Sequence, residues 1–249
     1  MTTQEEHLRF ILNIHQYVQR TPEWFEQRRH RLTSSDAATA LGINPYKKPV
    51  ELLFEKCGCG RPFTGNEATL HGQKYEEESI GKYSQLMGKK NTDVGMISFG
   101  DLDPIRKNKK YIDKKYHFLG GSADGIAVDI HNYEPMAMLE AKCPMRRKIK
   151  HGEVPTYYLP QVQLNMFILD LEIADFIEYI PGTHGRMELN IVRVHRDEEW
   201  FDKSFEILES FWKEVVEWRS KDISEHPDYK KFILDKIDNT VPEYLFIKE

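Results

Sequence analysis

The chain has 249 residues, 40% hydrophobic and 12% aromatic, with a formal net charge of −5, enough apolar material for one sizeable α/β core. Its mean hydropathy of −0.61 and the lack of any run of about 18 apolar residues argue against an integral membrane protein. The negative balance argues against a generic nucleic-acid coat protein, and Cys57, Cys59 and Cys143 are too few and odd in number for a disulfide framework. With no secretory pattern in the first twenty residues, a reducing intracellular compartment is expected.

In chain order, residues 3–19 place Leu8, Ile11, Leu12, Ile14, His15 and Val18 at helical spacing. Thr21-Pro22 reads as N-cap and first position of a second helix, 21–31. Thr33, Ser34 or Ser35 is expected to cap a third, which Gly42 closes. A fourth spans about 48–57, and a Gly/Pro-rich loop leads to a long helix near 67–88. Five strands of one sheet follow, in "VGMISF", "HFLGGSADGIAVDI", "MAMLEAKC", "ADFIEYI" and "MELNIVRVHR". A helix near 155–170 interrupts them. Another, 197–219, repeats Trp200, Phe201, Phe205, Leu208, Phe211, Trp212, Val215 and Trp218 at helical spacing, and residues 221–249 read as a peripheral extension. Arg106, Lys107, Lys109, Lys110, Lys114 and Lys115 form a basic run that reads equally as a polyanion contact or a solvated loop.

Chemistry concentrates in "GGSADGIAV" and "MLEAKCP". A hard cation such as Mg²⁺ takes oxygen ligands from one or two carboxylates and leaves room for a phosphate and waters. Asp124 and Glu140 offer the carboxylates and Lys142 an ammonium. Glu140 and Lys142 are two apart, so on a strand they share a face, while Ala141 points away and offers a carbonyl as a further ligand. Turn residues at 131–135 allow the two strands to form a hairpin. An ordinary turn followed by a solvated Glu-x-Lys pair has the same pattern, so the two stretches do not decide by themselves. Gln161 and Gln163 are both candidates on the following helix. Cys57 and Cys59 lack zinc-site spacing and read as free thiols, and Trp24 reads as a core residue.

Five ordered motifs, from "EWFEQRRHRLTSSDAATALGINPY" through "GNEATLHGQKYEEES", "GGSADGIAV" and "LEAKCP" to "YYLPQVQLNMFI", resemble the YqaJ-like and lambda-exonuclease-like viral recombination nucleases of the PD-(D/E)XK superfamily. The resemblance spans about residues 22–180. It implies a restriction-endonuclease-like α/β core, a central mixed sheet flanked by helices. In that division residues 1–220 are one nuclease domain: N-terminal helices 1–90, catalytic sheet core 91–195 and packing helix 196–220. Position by position, it implies that Asp124, Glu140 and the Ala141 carbonyl hold Mg²⁺, with Mn²⁺ as a substitute, and that Lys142 serves the attacking water. It also implies that Glu76 lies beside the metal, that Gln161 rather than Gln163 orients the site, and that Arg28 and Ser35 hold a terminal 5′-phosphate.

The expected activity is hydrolysis from the 5′ end of linear double-stranded DNA to leave a 3′ overhang, in viral recombination or end processing. The expected partners are DNA ends, a single-strand annealing protein and further copies of the chain in a trimer. If the chain is viral, its place is the cytoplasm or nucleus of a host cell. An endonuclease with the same core, acting on DNA or RNA, and a catalytically silent DNA-binding protein are the competing readings.

Overall fold

The apolar run at 117–130, expected to lie in one sheet, divides between two. The computed structural model describes residues 3–59, 65–129, 131, 136–183 and 186–238. Within it the run yields β4 (Leu119–Gly121) and β5 (Gly125–Asp129), parted by three residues that end at Asp124. β4 is the centre of a small sheet, parallel to β1 (Leu32–Thr33) and antiparallel to β3 (Ile97–Ser98). β5 belongs to a five-stranded sheet with β2 (Lys89–Thr92), β6 (Ala137–Lys142), β7 (Ile173–Thr183) and β8 (Arg186–His195), in the order β2-β5-β6-β7-β8. Only β6 and β7 run parallel, and α6 (Leu159–Leu169) makes the crossover that a parallel pair requires. The sheet is therefore mixed, as expected. β5 and β6 form the expected hairpin, whose connecting residues 132–135 lie outside the described residues.

β6 alternates as a strand covered on both faces must. Met138 joins the main core beneath α6, and Leu139 and Ala141 join Tyr83, Ala127 and Ile177 on the opposite face. Tyr83 comes from α5 (Glu67–Met87), the long helix, which buries only Ser79 and Tyr83 and leaves its other sides open. Nine of the eleven residues of α6 are buried, as an almost wholly apolar helix between layers must be. α7 (Glu198–Arg219) closes the main core with Phe201, Phe205, Leu208, Phe211 and Val215, all from the expected stripe.

The N-terminal half follows its caps. Thr3 and Glu6 form a capping box at the start of α1 (Gln4–Asn13), and Thr21 caps α2 (Pro22–Arg29), which has Pro22 at its first position. α1 is shorter than the expected helix and buries His7, Leu8 and Ile11; Leu12 and Val18 face solvent. The third helix is also shorter, a 3-10 turn (Ser34–Asp36) running into α3 (Ala37–Ala40), and none of Thr33, Ser34 or Ser35 caps it with a side chain. Gly42, at φ +72, closes it in the left-handed conformation that glycine tolerates. α4 (Pro49–Lys56) packs Phe54 against Phe232 of α8 (Tyr229–Asp238) at 4.4 Å between ring centroids, so the described part of the C-terminal segment joins the core.

In the basic run at 106–115 the five lysines are exposed and one residue is structural. Arg106 is buried and donates to the carbonyls of Phe99, Phe167 and Ile168, tying off the end of α6. Lys110 pairs with Asp202 of α7. Among the described residues no helix is long and apolar enough to cross a membrane.

Candidate active site

Asp124 enters the site because the chain changes sheets there. Its backbone N–H still donates to Leu139 O at 3.1 Å, and its carboxylate Oδ2 accepts the Ala141 N–H at 2.7 Å. The first residue before β5 is thus locked across the hairpin onto the backbone of the Glu-Ala-Lys stretch. Glu140 and Lys142 share a face of β6 as their spacing requires, with Lys142 Nζ donating to Glu140 Oε1 at 2.5 Å. Gln161 Nε2 reaches the same oxygen at 2.6 Å from the first turn of α6, and Asn165 Nδ2 approaches Glu140 Oε2 at 3.3 Å from the next turn. Residues i and i+4 of a helix lie on one face, so one side of α6 holds both oxygens of a fully buried carboxylate.

Gln163 points elsewhere. It donates to His195 O and accepts the Asp197 N–H, joining α6 to the start of α7. Asn165, though inside "YYLPQVQLNMFI", escaped the sequence reading because a lone amide in an apolar helix signals no chemistry by itself. The signal available was its spacing of four from Gln161. Its depth depends on Gly121, where a Cβ would stand 2.2 Å from Asn165 Oδ1 and 3.0 Å from Ser34 Oγ. Only glycine permits that approach.

The electrostatics are those of carboxyls taken out of water, with repulsion between neighbours added at Glu140 and Glu76. Burial, and then Asp124, push Glu140 up to about 8, although Lys142 pulls the other way. Burial raises Asp124 against the opposing pull of Lys142 and the Ala141 N–H. Glu76, on α5, is pushed up to about 7, first by the protein packed around its carboxyl and next by Asp124, even though the side chain still reaches solvent. Burial works against the Lys142 ammonium, but Glu140 and Asp124 outweigh it and hold the charge well above lysine's ordinary range. No three His, Cys, Asp or Glu side chains form a ready metal cage among the described residues. Asp124 and Glu140 do supply the two-carboxylate oxygen set a hard divalent cation uses when phosphate and water complete its shell, and such a cation would relieve the repulsion just described.

Glu76 stands where two clefts meet. One, of about 500 Å³, is lined by Asp124, Glu77, Asn91 and Asp93. The other, of about 680 Å³, is lined by Lys142, Arg146, Arg147, Tyr46, Tyr157 and Tyr158 and opens on the basic side.

Arg28 and Ser35 also come together. Arg28 Nη2 donates to Ser35 Oγ at 2.9 Å and reaches Thr33 Oγ1 at 3.3 Å, and the guanidinium lies 4.7 Å from the centre of the Trp24 ring. Trp24, expected in the core, is only half-buried and instead carries Arg28. The nearby Asp36 carboxyl is buried, yet Lys56 at 2.8 Å and Arg28 hold it well below the usual range. The turn bearing Ser35 packs against α6, and Ser34 and Asn165 both flank Gly121, so the Arg28 cluster and Glu140 adjoin the same helix. Cys57, Cys59 and Cys143 form no disulfide.

Residues 23–172 match the model of the YqaJ-like viral recombinase domain. An uncharacterized protein of Acanthamoeba polyphaga mimivirus is 31% identical over 179 residues, which cover 68% of this chain and 30% of that protein. The uncharacterized protein YqaJ of Bacillus subtilis is 26% identical over 199 residues, 78% of this chain and 56% of that one. The chain thus spans less than two thirds of the length of either relative. Its fold is that of an alkaline exonuclease from Laribacter hongkongensis, with a TM-score of 0.62 at 22% identity over 87% of this chain and all of the other. A phage-related exonuclease from Haemophilus somnus aligns with a TM-score of 0.51 at 18% identity, over 76% of this chain and 95% of that one.

Proposed function

Because the chain belongs to the YqaJ-like viral recombinase domain family, we propose that it is a metal-dependent DNA exonuclease that digests one strand of linear duplex from its 5′ end. The observation that carries this reading is the convergence on Glu140: Lys142 and Gln161 on one oxygen, Asn165 on the other, and Asp124 tied to the intervening Ala141 N–H. A solvated surface pair would not bury a carboxylate or give it three side-chain donors.

Asp124, Glu140 and the Ala141 carbonyl would hold Mg²⁺ or Mn²⁺, which when bound lowers the pKa of a coordinated water and neutralises charge on the phosphate. Gln161 and Asn165 fix the Glu140 carboxylate, so little reorganisation remains at the moment of reaction. Lys142 positions the attacking water against phosphorus. The water oxygen bonds to phosphorus as the P–O3′ bond breaks, and the departing O3′ takes up a proton. The next nucleotide then carries a new 5′-phosphate. Arg28, braced on Trp24, can fork two hydrogen bonds to that phosphate while Ser35 adds a hydroxyl. Glu76 adds a third carboxylate at the mouth of the site.

The test of the site is Lys142→Ala. DNA binding, measured in EDTA, should stay within about threefold of wild type, and the Mg²⁺-dependent cleavage rate should fall by at least about 10²-fold. Cleavage at the wild-type rate would remove Lys142 from the chemistry.

A further inference from the structure

Tyr46 keeps 79% of its surface exposed, the most of any large hydrophobic side chain among the described residues. It is not on a loose loop. Its backbone N–H donates to Asn44 Oδ1 at 2.9 Å, and Asn44 Nδ2 donates to Thr39 Oγ1 at 2.7 Å, just past the left-handed turn at Gly42. The ring meets Tyr157 edge to face, with centroids 5.8 Å apart and planes at 85°. Tyr157 packs against Tyr158 at 4.4 Å, and over the Tyr158 ring stand Lys142 Nζ at 5.3 Å and the Arg147 guanidinium at 5.7 Å. Three tyrosines therefore lead from the Lys142 ammonium to solvent along one wall of the 680 Å³ cleft. Arg147 is fixed in turn by the buried Glu178.

On α5, Ala68 and Gly72 line the same cleft. Glycine inside a helix costs about 0.5–1 kcal/mol relative to alanine, yet a Cβ at Gly72 would touch nothing within 4 Å. Nothing among the described residues crowds that position, and the glycine leaves a bare stretch in the wall of the cleft that Tyr46 also lines. Lys142, Arg146 and Arg147 give the cleft the charge a nucleic-acid backbone needs, and an exposed aromatic face is what an unstacked base needs.

We propose that Tyr46, braced by Tyr157, is a stacking platform for the nucleobase beside the scissile phosphate. The subsite thus takes a base that has left the duplex stack, whatever its identity. The proposal rests on the nuclease reading for the position of that phosphate, but the stacking can be observed without any cleavage.

The experiment uses linear duplex with 2-aminopurine in each of the first two nucleotides of the 5′ end in turn, bound in EDTA so that nothing is cut. Wild type and Tyr46→Phe should quench the fluorescence at one of the two positions, and Tyr46→Ala should not. In Mg²⁺, an abasic nucleotide at that position should raise the wild-type KM about tenfold, to the level of Tyr46→Ala on normal DNA, and should raise the KM of Tyr46→Ala no further. Equal quenching in Tyr46→Ala and wild type, or wild-type indifference to the abasic nucleotide, would overturn the platform while digestion itself stood. Tyr46-dependent quenching by a wild-type protein that never cleaves DNA would uphold the platform and overturn the nuclease reading.

Discussion

Glu140 has no exposed surface, so each donor on its carboxylate replaces a water that cannot reach it. Asn165 is the informative one, being buried, given no role by the motif it lies in, and bonded to the less crowded oxygen. It acts through Glu140 and is a positioning residue. Asn165→Ala should lower kcat about 10- to 100-fold. KM should change by less than threefold, whereas a merely destabilised fold would lose active enzyme without changing the KM or the metal requirement of what remains. A metal titration separates the two, since the Mg²⁺ concentration at half-maximal rate should rise in Asn165→Ala. An unchanged titration midpoint would remove Asn165 from the site. Most of this site was legible because spacing of two on a strand dictates which side chains share a face, and Glu140 and Lys142 obey that rule. Choosing Gln161 over Gln163 needed the family pattern, and so did the pairing of Arg28 with Ser35, because six residues and a turn lie between them.

At the scale of elements, the helix that carries Gln161 and Asn165 is anchored at its far end by residues that do no chemistry. Arg106 takes the carbonyls of Phe167 and Ile168, and His7 of α1 bonds to Leu169 O at 2.8 Å. Burial lowers the His7 pKa, outweighing the hydrogen bond to Leu169, so the fold holds the ring neutral. The unfolded chain takes up that proton near pH 6.5. Stability is then complete above about pH 6.5 and falls as the pH drops through that value towards the lowered folded pKa. Thermal melts between pH 7.5 and 5 should show the loss, and His7→Gln should flatten it; an equal slope in both proteins would remove His7 as its source. The elements themselves were legible in proportion to their apolar content. α6 and α7 stand within a few residues of expectation, whereas β2, "KKNT", has no apolar residue and is an edge strand of the kind that lysines protect. β1 has only two residues, too short for any periodicity.

Across the whole molecule, the division into two sheets was the feature the sequence concealed. A run such as "FLGGSADGIAV", broken only by Ser122 and Asp124, reads alike whether or not the chain crosses from one sheet to another, and only backbone pairing distinguishes the cases. The crossing has a consequence, for it sets Asp124 between the sheets. The small sheet carries the chain from Arg28 to Ser35, and the large one carries Glu140 and Lys142. On the proposed reading, end recognition and hydrolysis would be built on different sheets, with α6 packed against both. On that reading the substrate should have to offer a strand end, and one bearing phosphate. The most direct measurement is digestion in Mg²⁺ of three substrates of identical sequence: linear duplex with 5′-phosphate, linear duplex with 5′-hydroxyl, and closed circular duplex. Phosphorylated ends should be lost fastest, with the preference about tenfold or more and abolished in Arg28→Ala, and circles should survive intact. Cutting of the closed circle at the rate of the linear substrate, or equal digestion in EDTA, would overturn the assignment.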